Sequence, residues 1–291
     1  MGLSVSRMAS SEYGKTKKTS LGDLPECCVA SILVHLDPTD ISRLAGLNKA
    51  FSGAANSDSV WTSKLPLNYK YLLDKASMDA NNEVEDFKTL TQKEIYAHLC
   101  SPKVIDDSTK IFCLEKKKGE VCMLISAKAL SITGIDDRRY WNYIPNDNSR
   151  FNTVAYLQQT WWFQVDGEID FCFPAGTYSL FYRVFLGRPS QRFGWRTCDT
   201  SHVHGWDKKP VRFELSTSCG QQAIKQCYLL QQENWVHYHV GDFSVEDSNI
   251  PTKVKFSMMQ IDCTHTKGGL CMDSVLIYPK GYTRPRKPFA I

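Results

Sequence analysis

The sequence predicts an α+β multidomain chain, a small helical unit followed by a mainly antiparallel, jelly-roll-like β-sandwich. Two observations carry this. Apolar residues recur at helical spacing through the first third of the chain. From Thr109 onward they switch to period 2, in eight or more short runs with little helix between them. A third observation bounds the answer: no apolar run approaches the ~20 residues that a membrane helix requires.

Residues 1–20, MGLSVSRMASSEYGKTKKTS, are small, polar and basic without periodicity, the composition of a disordered leader. Met1-Gly2-Leu3-Ser4-Val5-Ser6 fits the myristoylation pattern with Gly2 as acceptor; the other reading is a chance match in a polar leader. One acyl chain holds a protein to a membrane only marginally. Arg7, Lys15, Lys17 and Lys18 would have to add the second signal, giving weak membrane association.

Residues 21–66 read as three short helices. Pro25 suits a first helical turn, and Val29, Ile32, Leu33 and Leu36 follow at i, i+3, i+4 and i+7. Asp37 is placed to cap the next helix, Pro38 to take its first position, and Asp40 to face the positive end of its dipole. Ile41, Leu44 and Leu47 continue the stripe, Asn48 to Ala55 offers a third helix carrying Phe51, and Val60-Trp61 closes the unit. About 45 residues bury a smaller share of their surface than a full domain, so these side chains call for a partner. Packing on the rest of the chain is the alternative.

Leu24-Pro25, Ile32-Leu33, Leu36-Asp37-Pro38, Asp40-Ile41, Leu44, Asn48, Phe51 and Val60-Trp61 resemble an F-box without insertion. The resemblance implies that Leu24, Pro25, Ile32, Leu36, Pro38, Ile41, Leu44, Phe51 and Trp61 bind the Skp-family adaptor of a cullin ubiquitin ligase. It leads us to expect Leu24, Pro25, Ile32, Leu36, Ile41 and Leu44 as an exposed apolar patch.

Residues 67–108 read as a helical connector. Met78 to Asp86 is polar enough for an exposed loop, and Thr91 with Glu94 forms a capping box for a helix carrying Ile95, Tyr96 and Leu99. The sandwich is expected over 109–279, with a loose Pro/Arg/Lys-rich tail over 280–291. Strands are predicted over 111–114, 121–125, 161–165, 168–173, 178–186, 211–215, 227–229, 235–243, 254–258 and 274–278. Glu115 to Glu120 and Asp166-Gly167 read as hairpin turns, the second being the strongest such signal in the chain.

Lys93-Glu94-Ile95-Tyr96, Ile125 through Thr133, Asp136 through Trp141, Ser149-Arg150-Phe151, Trp162 through Val165, and Gly268-Gly269-Leu270 with Asp273 through Pro279 resemble the plant phloem-lectin (phloem protein 2) family. That family often carries an F-box in front, and it binds N-acetylglucosamine oligomers and N-glycan cores. A lectin needs an aromatic face for the apolar side of a pyranose and polar groups for its hydroxyls. In the expected loop 135–143, Trp141 is the candidate stacking platform, with Tyr140 and Tyr143 beside it and Arg139 and Asn142 for the hydroxyls. The alternative reading is that Trp141 plugs the sandwich core. The family pattern carries a second tryptophan just after Ile132-Thr133, where this chain has Gly134. Of the adjacent pair at 161–162, Trp162 is assigned to the core and Trp161 to a second platform or an inter-domain contact.

His202-Val203-His204, His237-Tyr238-His239 and Cys263-Thr264-His265 bring imidazoles together, but no carboxylate lies at a helpful spacing and no tight Cys-x-x-Cys pair exists. We expect hydrogen-bonded histidines, with no metal and no cofactor. A net charge of +4 over 291 residues is too diffuse for nucleic acid. Eleven cysteines with no secretory segment argue for reduced thiols in the cytoplasm and nucleus. Phosphate loops and nucleophile elbows are absent from the sequence.

Together the resemblances imply a non-catalytic substrate-recognition adaptor of an SCF-type (Skp-cullin-F-box) E3 ubiquitin ligase. Its sandwich would bind a glycoprotein or an N-acetylglucosamine-containing glycan. The alternative is a membrane-tethered lectin or scaffold whose F-box has no ligase role.

Overall fold

The computed structural model describes residues 21–78, 89–192 and 195–282. The leader with Gly2, most of the polar loop expected over 78–86 and the tail from 283 lie outside the described residues. The chain divides into two compact units, one ending at Val60 and one beginning at Trp61.

In the first unit a 3-10 turn, Leu21–Asp23, leads into α1 (Glu26–Leu33), α2 (Pro38–Leu44) and α3 (Lys49–Asn56). A short α4 (Asp58–Thr62) runs across the junction. Pro25 sits one residue ahead of α1, where its carbonyl accepts the N–H groups of Cys28 and Val29 at 3.0 and 3.1 Å. Asp37 precedes α2 with extended backbone but makes no side-chain cap; its carbonyl serves Asp40 and Ile41 instead. Asn48 does cap α3, its Oδ1 accepting the Phe51 N–H at 2.9 Å. Val29, Leu33, Ile41, Phe51, Ala54 and Ala55 are buried, none more than 3% exposed, and form the unit's core.

The second unit opens with α5 (Tyr69–Met78) and α6 (Gln92–Cys100). The capping box on α6 is complete: Thr91 Oγ1 accepts the Glu94 N–H at 3.3 Å, and Glu94 Oε2 accepts the Thr91 N–H at 2.8 Å. Both helices lie on the β structure. Asn68 Nδ2 donates to the Cys172 carbonyl at 2.7 Å, and the Tyr71 ring meets Phe171 edge-on at 5.4 Å.

The strands are β1 (Lys103–Ile105), β2 (Lys110–Leu114), β3 (Val121–Ser126), β4 (Ser131–Ile132), β5 (Trp141–Pro145), β6 (Thr153–Thr160), β7 (Phe163–Phe171) and β8 (Gly176–Leu186). They continue as β9 (Arg188–Arg192), β10 (Trp195–Asp199), β11 (Val211–Thr217), β12 (Gln222–Cys227), β13 (Trp235–Val245), β14 (Thr252–Gln260) and β15 (Lys267–Pro279). Two antiparallel sheets result. The larger runs β1-β2-β3-β15-β6-β5 and extends through β8 to β13; the smaller runs β12-β11-β14-β7-β4. β9 and β10 make a separate ladder.

β15 is the spine of the larger sheet. It pairs with β6 through Lys267–Met272 and with β3 through Ser274–Ile277, while β8 lies along its other side. The sheets face each other through Tyr182 of β8, whose ring lies 5.9 Å from Phe213 and 6.1 Å from Phe256 and whose hydroxyl donates to the Val165 carbonyl at 3.2 Å. This is a β-sandwich, as the alternation predicts.

The expected turn at Asp166-Gly167 does not exist. β7 runs straight through it, paired with β14 from Phe163 to Phe171. Gly167 is in mid-strand because a Cβ there would lie 2.3 Å from the Phe256 ring and 2.9 Å from Leu130 Cδ2. The chain instead reverses at Trp161-Trp162, where it crosses from the larger sheet to the smaller. Two other readings shift. The strand expected over 227–229 is β12, ending at Cys227, and the last three residues of the expected loop begin β5.

Candidate functional site

Trp141 opens β5, opposite Leu157 of β6, with only 1% of its surface exposed. Its ring stacks on Phe163 at 6.2 Å, and its indole N–H donates to the Thr133 carbonyl at 3.2 Å. The ring offers no free face to a sugar. Of the two readings left by the sequence, the core plug is the one realised, because the strand pairing turns this side chain inward.

Tyr140 and Tyr143 remain at the surface. The Arg139 guanidinium lies 5.6 Å from the Tyr140 ring centre and is bound to Asp137 through contacts of 2.7 and 3.1 Å. Those hydrogen bonds hold the exposed Asp137 carboxyl below its ordinary pKa. The Lys128 ammonium lies 5.9 Å from the Tyr143 ring centre. Asn142 is engaged locally, donating to the Arg138 carbonyl at 3.1 Å. Four of the five predicted residues therefore stay at or near the surface, without their intended platform.

Gly134, at the position of the missing tryptophan, has φ +80°. L side chains rarely adopt that conformation, so a tryptophan there would strain this turn.

The aromatic pair that the sequence reading underrated is Trp161 and Trp162, exposed to 53% and 44%. Trp162 is not core. It lies in the turn between the sheets, one residue before β7 begins, so the inward-facing residue there is Phe163. The signal that would have found it is the inward alternation of Phe163, Val165, Ile169 and Phe171.

In the helical unit the predicted face separates into two groups. Pro38, Ile41 and Phe51 are buried, as is Trp61 beyond the junction; Trp61 meets the Tyr96 ring at 5.4 Å. These four are core residues, correcting their assignment to a contact surface. Pro25 and Ile32 are exposed, Leu24, Leu36 and Leu44 are half-buried, and Leu47 is 63% exposed.

Three of these histidines are hydrogen-bonded to neighbours. His204 contacts the His202 carbonyl through Nδ1 at 2.8 Å and Thr266 Oγ1 through Nε2 at 3.2 Å. His265 donates to the Gly205 carbonyl at 3.0 Å, and His239 meets Asp242 Oδ1 at 2.8 Å. Among the described residues no group of three or more His, Cys, Asp or Glu is gathered to hold a metal.

The family model described as Phloem protein 2 matches residues 120–279, from the second hairpin strand to the end of β15. The chain belongs to the phloem protein 2 family. Relatives carry the match through the helical unit. The F-box protein PP2-A12 of Arabidopsis thaliana is 55% identical over 274 residues, covering 94% of this chain and 92% of that protein. The F-box protein PP2-A15 of the same plant is 48% identical over 302 residues, covering 100% and 99%. This phloem protein 2 chain is thus an F-box protein with a lectin-like β-sandwich. A family 35 carbohydrate binding module from Clostridium thermocellum superposes at a TM-score of 0.34 and 10% identity, over 54% of this chain and 98% of that one, too loosely to bear on function.

Proposed function

We infer that the chain is a substrate-recognition adaptor of an SCF-type E3 ubiquitin ligase. The F-box unit holds a Skp-family adaptor and through it the cullin core; the sandwich holds a carbohydrate or glycoprotein target. The protein itself supplies binding and positioning rather than chemistry, and acts in the cytoplasm and nucleus.

The observation that carries this reading is the division within the F-box unit. Its small core is closed around Leu33, Ile41 and Phe51, yet Ile32 and Leu47 are left 42% and 63% exposed, with Leu24 and Leu36 half-covered beside Pro25. Large apolar side chains left out of so small a core suit a second protein.

The test is capture. The full chain should retain a recombinant Skp adaptor, and the double substitution Leu24→Ala, Pro25→Ala should abolish retention while the β-sandwich keeps its melting temperature. Undiminished capture by the double variant removes the ligase reading.

A further inference from the structure

We propose that the outer face of the smaller sheet, with Trp162 at its rim, is the ligand site of this protein and takes a neutral oligosaccharide. The proposal rests on the carbohydrate reading above and gives it a location different from the 135–143 loop.

The strand registers build the site. Directly paired residues project from the same side of an antiparallel sheet. One row across all five strands therefore reads Ile224, Glu214, Ser257, Asp166 and Ser131. A second row beside it reads Gln222, Ser216, Lys255 and Glu168. Both rows line one open groove of about 660 Å³. At ~4.8 Å between strands the first row extends roughly 19 Å, a length for several sugar residues rather than one.

The groove is set for hydroxyl groups. Gln164 Nε2 donates to Asp166 Oδ2 at 2.8 Å, and Trp162 Nε1 donates to Gln164 Oε1 at 3.0 Å. Indole, amide and carboxylate thus form one chain along β7. Glu168 is paired with Lys253 at 3.0 Å and Glu214 with Arg212 at 2.5 Å. Two of the three carboxylates in these rows are thus ion-paired, which suits an uncharged polar ligand better than a cation. An independent observation points the same way. Ser257, in the middle of the first row, is 8% exposed, and its buried hydroxyl has no hydrogen-bond partner. A hydroxyl in that state is costly unless a ligand completes it.

The aromatic rim is rigid. Lys267 is completely buried and donates from Nζ to the carbonyls of Trp161 and Asp262, both at 2.6 Å. Thr160 Oγ1 donates to the Trp162 carbonyl at 2.9 Å. An exposed indole on a turn pinned at both carbonyls needs little ordering to receive a pyranose face. An extended peptide fits less well, since β11, β14 and β7 are paired on both sides and offer no backbone groups on this face.

The experiment is titration of the full chain with four neutral trisaccharides: chitotriose, cellotriose, mannotriose and galactotriose. Calorimetry and the Trp162 indole N–H resonance are the readouts. The wild type is expected to bind at least one, with that resonance shifting. Trp162→Ala and Asp166→Asn should each weaken binding tenfold or more at an unchanged melting temperature, while Tyr140→Ala leaves it as it was. If the wild type binds but the resonance is still and Asp166→Asn binds normally, the groove is overturned and the carbohydrate reading stands. If it binds none of the four, or only a lysine-rich peptide added as a control, both fall.

Discussion

Arg183 and Asp273 form an ion pair of 2.6 Å with side chains only 7% and 3% exposed, on adjacent strands of the larger sheet. The register slips between Met272 and Ser274, so Asp273 occupies a bulge. Its Oδ2 also accepts the Ser274 hydroxyl at 2.7 Å, and the Arg183 guanidinium lies 4.2 Å from the Trp235 ring centre.

Removing one partner of such a pair leaves a buried charge uncompensated. Asp273→Ala should destabilise the sandwich by about 3–5 kcal/mol, whereas replacing both residues by apolar ones of similar size should restore much of that. Urea unfolding of the single and double variants checks this. A single variant as stable as the double one would show that the pair is not coupled.

Trp141 and Tyr140 are neighbours in sequence with opposite fates. Trp141→Ala removes a buried ring and should cost about 3–5 kcal/mol. Tyr140→Ala, at a surface position, should stay within ~0.5 kcal/mol. Thermal melts of both variants decide it; equal losses would mean that Tyr140 is also part of the packing.

Asp242 is a hub on the larger sheet. Burial pushes its pKa up, but hydrogen bonds from Ser179, Lys280 and His239 outweigh that and bring it to about 2. The depressed value means that its contribution is complete above an unfolded carboxyl's pKa of about 4 and disappears as pH falls through about 2. Melting temperature against pH should therefore drop less steeply between about 4 and 2 in Asp242→Asn than in the wild type. Parallel curves would show that other carboxyls govern the acid limb.

Among the thiols, Cys219 stands on the exposed tip between β11 and β12, and its pKa is lowered by hydrogen bonds with Thr217 and Gln221. Cys28, also exposed, is raised by its neighbour Cys27. Iodoacetamide at neutral pH should modify Cys219 before Cys28, because the thiolate is the nucleophile. Peptide mass spectrometry over a time course gives the order directly.

Much of the fold was legible in the sequence because the relevant residues act locally. The Thr91–Glu94 box, the third helix within Asn48 to Ala55 and the short apolar runs that form β2, β3, β8, β11 and β14 depend on neighbours a few positions away. What failed depended on distant ones. Asp166-Gly167 has turn chemistry, yet Gly167 answers to Phe256, some ninety positions further on. The strand expected over 274–278 begins seven residues earlier, at Lys267, where β15 starts its pairing with β6. The aromatic loop was recognisable as polar and aromatic, but which of Tyr140 and Trp141 turned inward depended on where β5 began. The polar rows of the smaller sheet were invisible altogether, since each strand contributes only one or two of their members.

β15 gives the chain an order of assembly during synthesis. β3, β6 and β8 leave the ribosome well before the strand that joins them, so until Lys267–Pro279 emerges each lacks its central partner. The helical unit, whose contacts are local, has no such wait. A nascent chain stalled before residue 267 would then carry a formed F-box unit ahead of an open, apolar, edge-exposing sheet. That intermediate is where chaperone capture and aggregation concentrate.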